Sequence, residues 1–150
     1  MGKKREPIQH SSTVGGCVSD AFSELQALGD EMRSWYDNMP ENLQGGDKGS
    51  AVSEAADTLE GLSEPSVPDA VADVKVEWQS KPPTKRGLSR SARRDEATMM
   101  LDLAATAAQG WLDDPENETH EARDEVESFI DEVNSAKDDA DNVEFPGMIG

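Results

Sequence analysis

Four stretches of this chain set apolar residues three and four positions apart, and no other feature restricts its fold as strongly. In the first, Ala21, Leu25, Leu28, Met32 and Trp35 follow one another at spacings of 4, 3, 4 and 3. That rhythm draws a single stripe along a helix. It predicts a helix from about Ser19, a residue suited to N-capping, to Asn38, stopped by Pro40. The second stripe is Val52, Ala55 or Ala56, Leu59 and Leu62, on a helix capped by Ser50. The third is Ala97, Leu101, Ala104, Ala108 and Trp111, on a helix over residues 91–111. The fourth is Ala122, Val126, Phe129 or Ile130, and Val133, on a helix over residues 118–136. A one-sided helix cannot bury its stripe alone, and short connections favour antiparallel neighbours. The expected fold is therefore all-α: two helical hairpins, residues 18–62 and 91–136, forming an irregular four-helix domain. Trp35, Trp111, Leu101 and Phe129 are the expected core anchors.

The remaining segments carry no helical rhythm. Residues 1–17 are polar and contain the pair Gly15-Gly16, and they read as a disordered arm. Residues 63–90 form a Pro-rich strap and a basic segment. Within the strap Ala72, Val74, Val76 and Trp78 alternate with Asp73, Lys75, Glu77 and Gln79, the pattern of one short strand. A lone strand has no ladder to join, so it is expected to be an extended strap or to pair with a partner. Residues 137–150 read as an acidic tail. With 35% hydrophobic and 5% aromatic residues over 150 positions, the core is expected to be thin.

The two hairpins resemble each other. The first four apolar positions and Trp35 fall 76 places before Ala97, Leu101, Ala104, Ala108 and Trp111. Trp35-Tyr36-Asp37-Asn38-Met39-Pro40-Glu41-Asn42 parallels Trp111-Leu112-Asp113-Asp114-Pro115-Glu116-Asn117 with a single insertion. This string is a candidate internal repeat, although helix, acidic turn and Pro stop are also common helical grammar. Residues 35–62, with the Gly-Gly loop and small acidic helix that follow the string, resemble a segment of small uncharacterised proteins of bacteriophages and other mobile elements. The resemblance carries no known activity and transfers no functional residue. It implies a viral or mobile-element origin.

Charge is the largest compositional signal: 32 acidic against 14 basic side chains, a formal net charge of −18. Such a chain is repelled by nucleic acids and anionic membranes. The acidity admits three readings: a solvated surface, as in high-salt organisms; a surface that meets a basic protein; or mimicry of a nucleic acid, carboxylates standing for phosphates. The charge is also unevenly placed. Residues 1–80 hold 15 acids and 6 bases, residues 81–94 hold 6 bases and no acid, and residues 95–150 hold 17 acids and 2 bases.

Motifs for chemistry are missing from the pattern. Cys17 stands alone, which excludes an internal disulfide, and no acid–base partner lies near it in sequence. His10 and His120 are far apart, so no zinc ligand set forms from sequence neighbours. The run from Asp114 to Glu125 has carboxylates at alternate places, but Thr119 stands where an EF-hand needs Gly. Neither Gly15-Gly16 nor Gly45-Gly46 has the lysine of a phosphate loop. No catalytic residue, metal or cofactor is expected. No apolar run reaches the ~20 residues of a membrane span. The basic start Met1-Gly2-Lys3-Lys4-Arg5 lacks the apolar stretch of a secretory signal, and Glu6 spoils a myristoylation motif. A cytoplasmic protein is expected, in the host cytoplasm if the origin is viral.

The sharpest local feature is the basic segment with the aromatic before it: Trp78, Lys81, Lys85, Arg86, Arg90, Arg93 and Arg94. The arginines fall where the third helix begins, and positive charge there opposes the helix dipole at a cost of about 0.3–1 kcal/mol. An anion should compensate. It is either the protein's own acidic surface or an external phosphate, nucleic acid or acidic protein face. The expected role of these seven residues is contact with a partner, since no acid is interspersed among the bases. The expected function is a non-enzymatic acidic interaction module, a phage-encoded adaptor, inhibitor or virion component. The alternative is an acidic nucleic-acid mimic that blocks a host DNA-binding or defence protein. A protein partner is expected, nucleic acid is expected only through residues 81–94, and oligomerisation is left open.

Overall fold

A computed structural model describes residues 7–80 and 89–146. The element order is β1 (Ile8–Thr13), α1 (Val14–Asp37), α2 (Glu41–Gln44), α3 (Asp47–Glu60), α4 (Asp69–Ala72), β2 (Lys75–Ser80), α5 (Arg90–Asp113), a 3-10 turn at Pro115–Asn117, and α6 (Arg123–Asp141). The chain is mainly helical, as the stripes require, but it is not all-α. The four long helices are joined by two one-turn helices and a two-stranded antiparallel sheet.

The N-terminal arm departs from expectation. Of residues 1–17, the first six lie outside the described residues. From Ile8 the chain is ordered: β1 pairs with β2 in the register Ile8↔Ser80, His10↔Trp78, Thr13↔Lys75. The strap is therefore not a lone strand, because its partner is the segment whose composition suggests disorder. The first helix begins at Val14 and not near Ser19, and its N-cap is Thr13, whose hydroxyl accepts the Gly16 N–H at 3.1 Å. Gly15-Gly16 lies inside the first turn. There Gly15 runs close to the Ala72 carbonyl, where an added Cβ would sit at 3.4 Å. Val14, Cys17 and Val18, in the expected arm or at its edge, are fully buried.

α1 is central. It packs along α3 and along α5, and α6 packs along α5 and touches α3 lightly. Each pair runs antiparallel: Gly29 faces Leu59 while Trp35 meets Lys48, Glu31 meets Arg90 while Glu24 meets Arg93, and Arg94 reaches Ala140 while Arg123 reaches Leu112. The close approach of α1 and α3 depends on Gly29, since a Cβ there would stand 3.1 Å from the Leu59 Cβ. The core is built from Phe22, Leu25, Leu28 and Met32 on α1, Leu59 on α3, Leu101 on α5 and Phe129 on α6, all essentially without exposure.

Trp35 and Trp111, expected as core anchors, lie instead at the helix ends, half-buried against the core rim. Both stripes end there, so the last aromatic of each has neighbours on one side only. The first five residues of the expected acidic tail, 137–141, are helix. α6 runs on to Asp141, Ala140 and Val143 are buried, and Phe145 packs against the core.

Each hairpin turn contains a Pro-Glu-Asn start in a tight helical turn, in α2 and in the 3-10 turn. Each is tied back to the preceding helix by a side-chain amide. Gln44 Nε2 donates to the Tyr36 carbonyl at 2.8 Å, and Asn117 Nδ2 donates to the Trp111 carbonyl at 3.0 Å. Among the described residues no helix is long and apolar enough to cross a membrane.

Candidate functional site

Lys81, Lys85 and Arg86 lie outside the described residues. The other four candidates, Trp78, Arg90, Arg93 and Arg94, fall on β2 and on the first two turns of α5. The helix begins there because Ser89 caps it, its hydroxyl accepting the Ala92 N–H at 3.1 Å. The spacing of the three arginines then sends Arg90 and Arg93 to α1 and Arg94 to the end of α6.

Arg93 points across the α1–α5 seam. Its Nε donates to Glu24, and Nη2 and Nη1 reach the two carboxylate oxygens of Glu31 at 2.6 and 3.0 Å. Glu24 and Glu31 stand seven positions apart on one face of α1. The Arg93 hydrogen bonds hold the Glu31 carboxyl below its ordinary range, against the opposing effect of its partial burial. The same bonds raise the Arg93 guanidinium further above its already high value. Arg90 Nε lies 3.4 Å from Glu31 Oε1 without hydrogen-bond alignment, and its guanidinium sits 5.3 Å above the Trp35 ring.

Arg94 turns the other way, toward the end of α6. Its Nη1 donates to the carbonyls of Ala140, Asp141 and Val143 at 3.0, 3.1 and 2.9 Å, and its Nε meets Asp95 Oδ1 at 2.6 Å. These carbonyls lie at the C-terminal end of α6 and just beyond it, where a cation is favoured by both hydrogen bonding and the dipole. Its guanidinium also stacks 5.5 Å from the Phe145 ring centre. The compensating anion demanded by the start of α5 is thus supplied from within the chain, by Glu24 and Glu31, and Arg94 serves the opposite pole of α6. Their spacing on the α1 face was the available signal, since Glu24 and Glu31 repeat every two turns as Arg90 and Arg93 repeat every one.

Trp78 stacks on His10 across the sheet, ring centres 4.9 Å apart and planes at 10°, and His10 Nε2 lies 2.6 Å from Ser80 Oγ. Its indole N–H is screened from solvent and has no acceptor among the described residues. Trp78 is therefore half-buried and stacked within its own sheet, separate from the three arginines. His120 is engaged locally. Its Nδ1 accepts the Ala122 N–H at 3.0 Å, and its ring meets the Trp111 edge. Burial pushes the Cys17 thiol up, which leaves little thiolate. Among the described residues no three His, Cys, Asp or Glu side chains are gathered as a metal site.

What sequence reasoning did not single out is the surface of α6. Asp124, Glu125, Glu127, Asp131, Glu132, Asp138, Asp139 and Asp141 are all exposed. None has an ionic partner among the described residues, and Lys137 turns to Asp102 on α5. Beside the α1–α5 seam a cleft of about 420 Å³ is lined by Asp20, Glu24, Glu96 and Arg93 above Ala97 and Met100. No family model, curated protein or solved structure matches this chain.

Proposed function

We propose that this chain is a non-enzymatic acidic interaction module that receives a basic protein surface on the outer face of α6. The observation that carries the reading is the row of eight exposed, unpaired carboxylates on one helix, while the nearby arginines are taken up by α1 and by the end of α6. The contact is thereby assigned to the acidic face and not to Arg90, Arg93 and Arg94. Unpaired surface carboxylates raise the local cation concentration and steer a basic partner by long-range attraction. The wider setting of the proposal is a phage- or mobile-element-encoded adaptor, inhibitor or virion component acting in the cytoplasm. The Pro-Glu-Asn string that opens a tight helical turn in both hairpins supports reading the two hairpins as a duplicated unit.

The test is capture of basic proteins from host lysate by the wild-type chain and by a variant carrying Asp131→Asn, Glu132→Gln, Asp138→Asn and Asp139→Asn. The variant is expected to lose the captured partner while keeping its helical signal. Capture that survives the four neutralisations removes the α6 face from the proposal. Competitor DNA added to the wild-type capture separates the two forms of the reading. Displacement of the partner marks a nucleic-acid mimic, which occupies a DNA site, and persistence marks an adaptor.

A further inference from the structure

The two-stranded sheet is the electrically neutral part of a strongly acidic molecule. Residues 7–19 are the longest uncharged run in the chain, thirteen positions, and all of β1 lies within it. β2 carries one Lys75 and one Glu77, which cancel. The two edges of the sheet differ in the same way. The outer edge of β2 is guarded by those two charges, as exposed edges usually are. β1 has no charge and no proline between Ile8 and Thr13, and its Ile8 is one of only two large hydrophobics exposed among the described residues.

The register settles which backbone groups face outward. Val14 N donates to the Val74 carbonyl at 2.9 Å, continuing the ladder by one pair. Hydrogen-bonded pairs recur at every second residue of an antiparallel ladder. Ser12, His10 and Ile8 therefore bond to Val76, Trp78 and Ser80. The N–H and C=O groups of Gln9 and Ser11 and the N–H of Thr13 point away from β2, where they meet no backbone partner among the described residues, while the Thr13 carbonyl takes the first bond of α1. Gln9 and Ser11 are exposed.

We infer that β1 is a self-association edge, at which a second copy of this chain adds its own β1 antiparallel, giving a four-stranded sheet ordered β2-β1-β1-β2. A strand pairing antiparallel with itself makes an isologous contact about a two-fold axis. With the axis at Ser11, Gln9 lies opposite Thr13 of the second copy, Ser11 opposite Ser11, and Thr13 opposite Gln9. All the outward groups of the strand are then satisfied. A second copy is favoured over a different partner by charge. Two chains of net charge −18 repel through their acidic helices, and the charge-free β1 is a place where that repulsion is weak. A basic protein, in contrast, is drawn to the acidic helices. Pro7, which has no N–H to offer, ends the pairing on one side, and the start of α1 ends it on the other.

Sedimentation of the full chain at moderate salt is expected to show a concentration-dependent species at 32.4 kDa, twice the 16.2 kDa of one chain. The variant Ser11→Pro removes an outward N–H that the intramolecular ladder does not use, and it is expected to sediment only as the monomer. A wild-type chain that stays monomeric at every accessible concentration overturns the proposal, as does a folded Ser11→Pro variant that still dimerises. Should that variant lose its helical signal, amide exchange of the wild-type chain decides. The Gln9 and Ser11 amides are expected to be protected at high concentration and to lose that protection on dilution, while those of His10 and Ser12 stay protected throughout. Fast exchange at Gln9 and Ser11 at all concentrations overturns it.

Discussion

The α1–α5 seam and the outer face of α6 use the same kinds of side chain to opposite ends. At the seam, Glu24 and Glu31 close on Arg93 with Arg90 above, and the carboxylates are part of what joins two helices. On α6, eight carboxylates of the same chemistry point to water with no cation paired to them among the described residues. What separates them is the neighbour: α5 brings its arginines to the seam because its first turns lie across α1, and no described cation lies over the outer face of α6. An acidic residue count is thus no guide to role. Only a cation held on an adjacent helix converts surface acidity into cohesion.

The largest expected effect tests whether charge matters at all beside the apolar core that both regions share. Phe129→Ala is expected to cost about 3–5 kcal/mol, because a fully buried aromatic leaves a cavity. Partly buried Trp35 is expected to cost less on truncation, and thermal unfolding of the two variants checks the order. Next comes Arg94→Gln, which removes the side-chain donor shared by three carbonyls at and just past the end of α6. A destabilisation of about 2–3 kcal/mol is expected, with amide protection lost first around Ala140 to Val143.

Arg93→Gln should cost less, about 1–2 kcal/mol after solvent screening, since Glu24 and Glu31 are partly exposed. Its sign with pH is definite. The Glu31 carboxyl is held below its ordinary value in the folded chain, so its contribution is fully present above about pH 4–5 and is lost as pH falls through the folded value. Acid titration of the wild-type chain should show that loss, and Arg93→Gln should flatten it. An unchanged acid profile in the variant would sever the link between the seam and Glu31.

The smallest effect belongs to α6. The four neutralisations at Asp131, Glu132, Asp138 and Asp139 should leave stability within about 0.5 kcal/mol per site, or raise it, by relieving repulsion among unpaired charges. Added salt should stabilise the wild-type chain more than this variant, and equal salt responses would mean that the α6 carboxylates do not repel one another appreciably.

The four long helices were legible from the spacing of Leu25, Leu28, Met32, Leu101, Phe129 and their neighbours, because a stripe at helical period is a local property that burial only confirms. The ends were less so. Cap identity at Thr13, the late start of α6 at Arg123 and its extension to Asp141 depend on what the adjoining turns touch. Arg90, Arg93 and Arg94 do fall at the start of α5, as their spacing predicts, yet their role was not readable. An arginine such as Arg93 looks the same in sequence whether its counter-charges lie in a partner or 62 and 69 residues away on α1.

From its own order of residues the chain determined that it would be mainly helical, broken at Pro40 and at Pro115, strongly acidic, and without a disulfide. These are properties of periodicity, backbone chemistry and composition, which need no partner to be expressed. Only the tertiary structure decided that Ile8–Thr13 is a strand, that Trp35 and Trp111 stay at the rim, and which carboxylates are paired. A strand is stabilised by the segment across the ladder, and β1 finds its partner 72 residues further on, at Ser80 opposite Ile8. An ion pair likewise exists only where two distant side chains are held within a few ångströms, and that distance is set by how the helices pack, which no local pattern encodes.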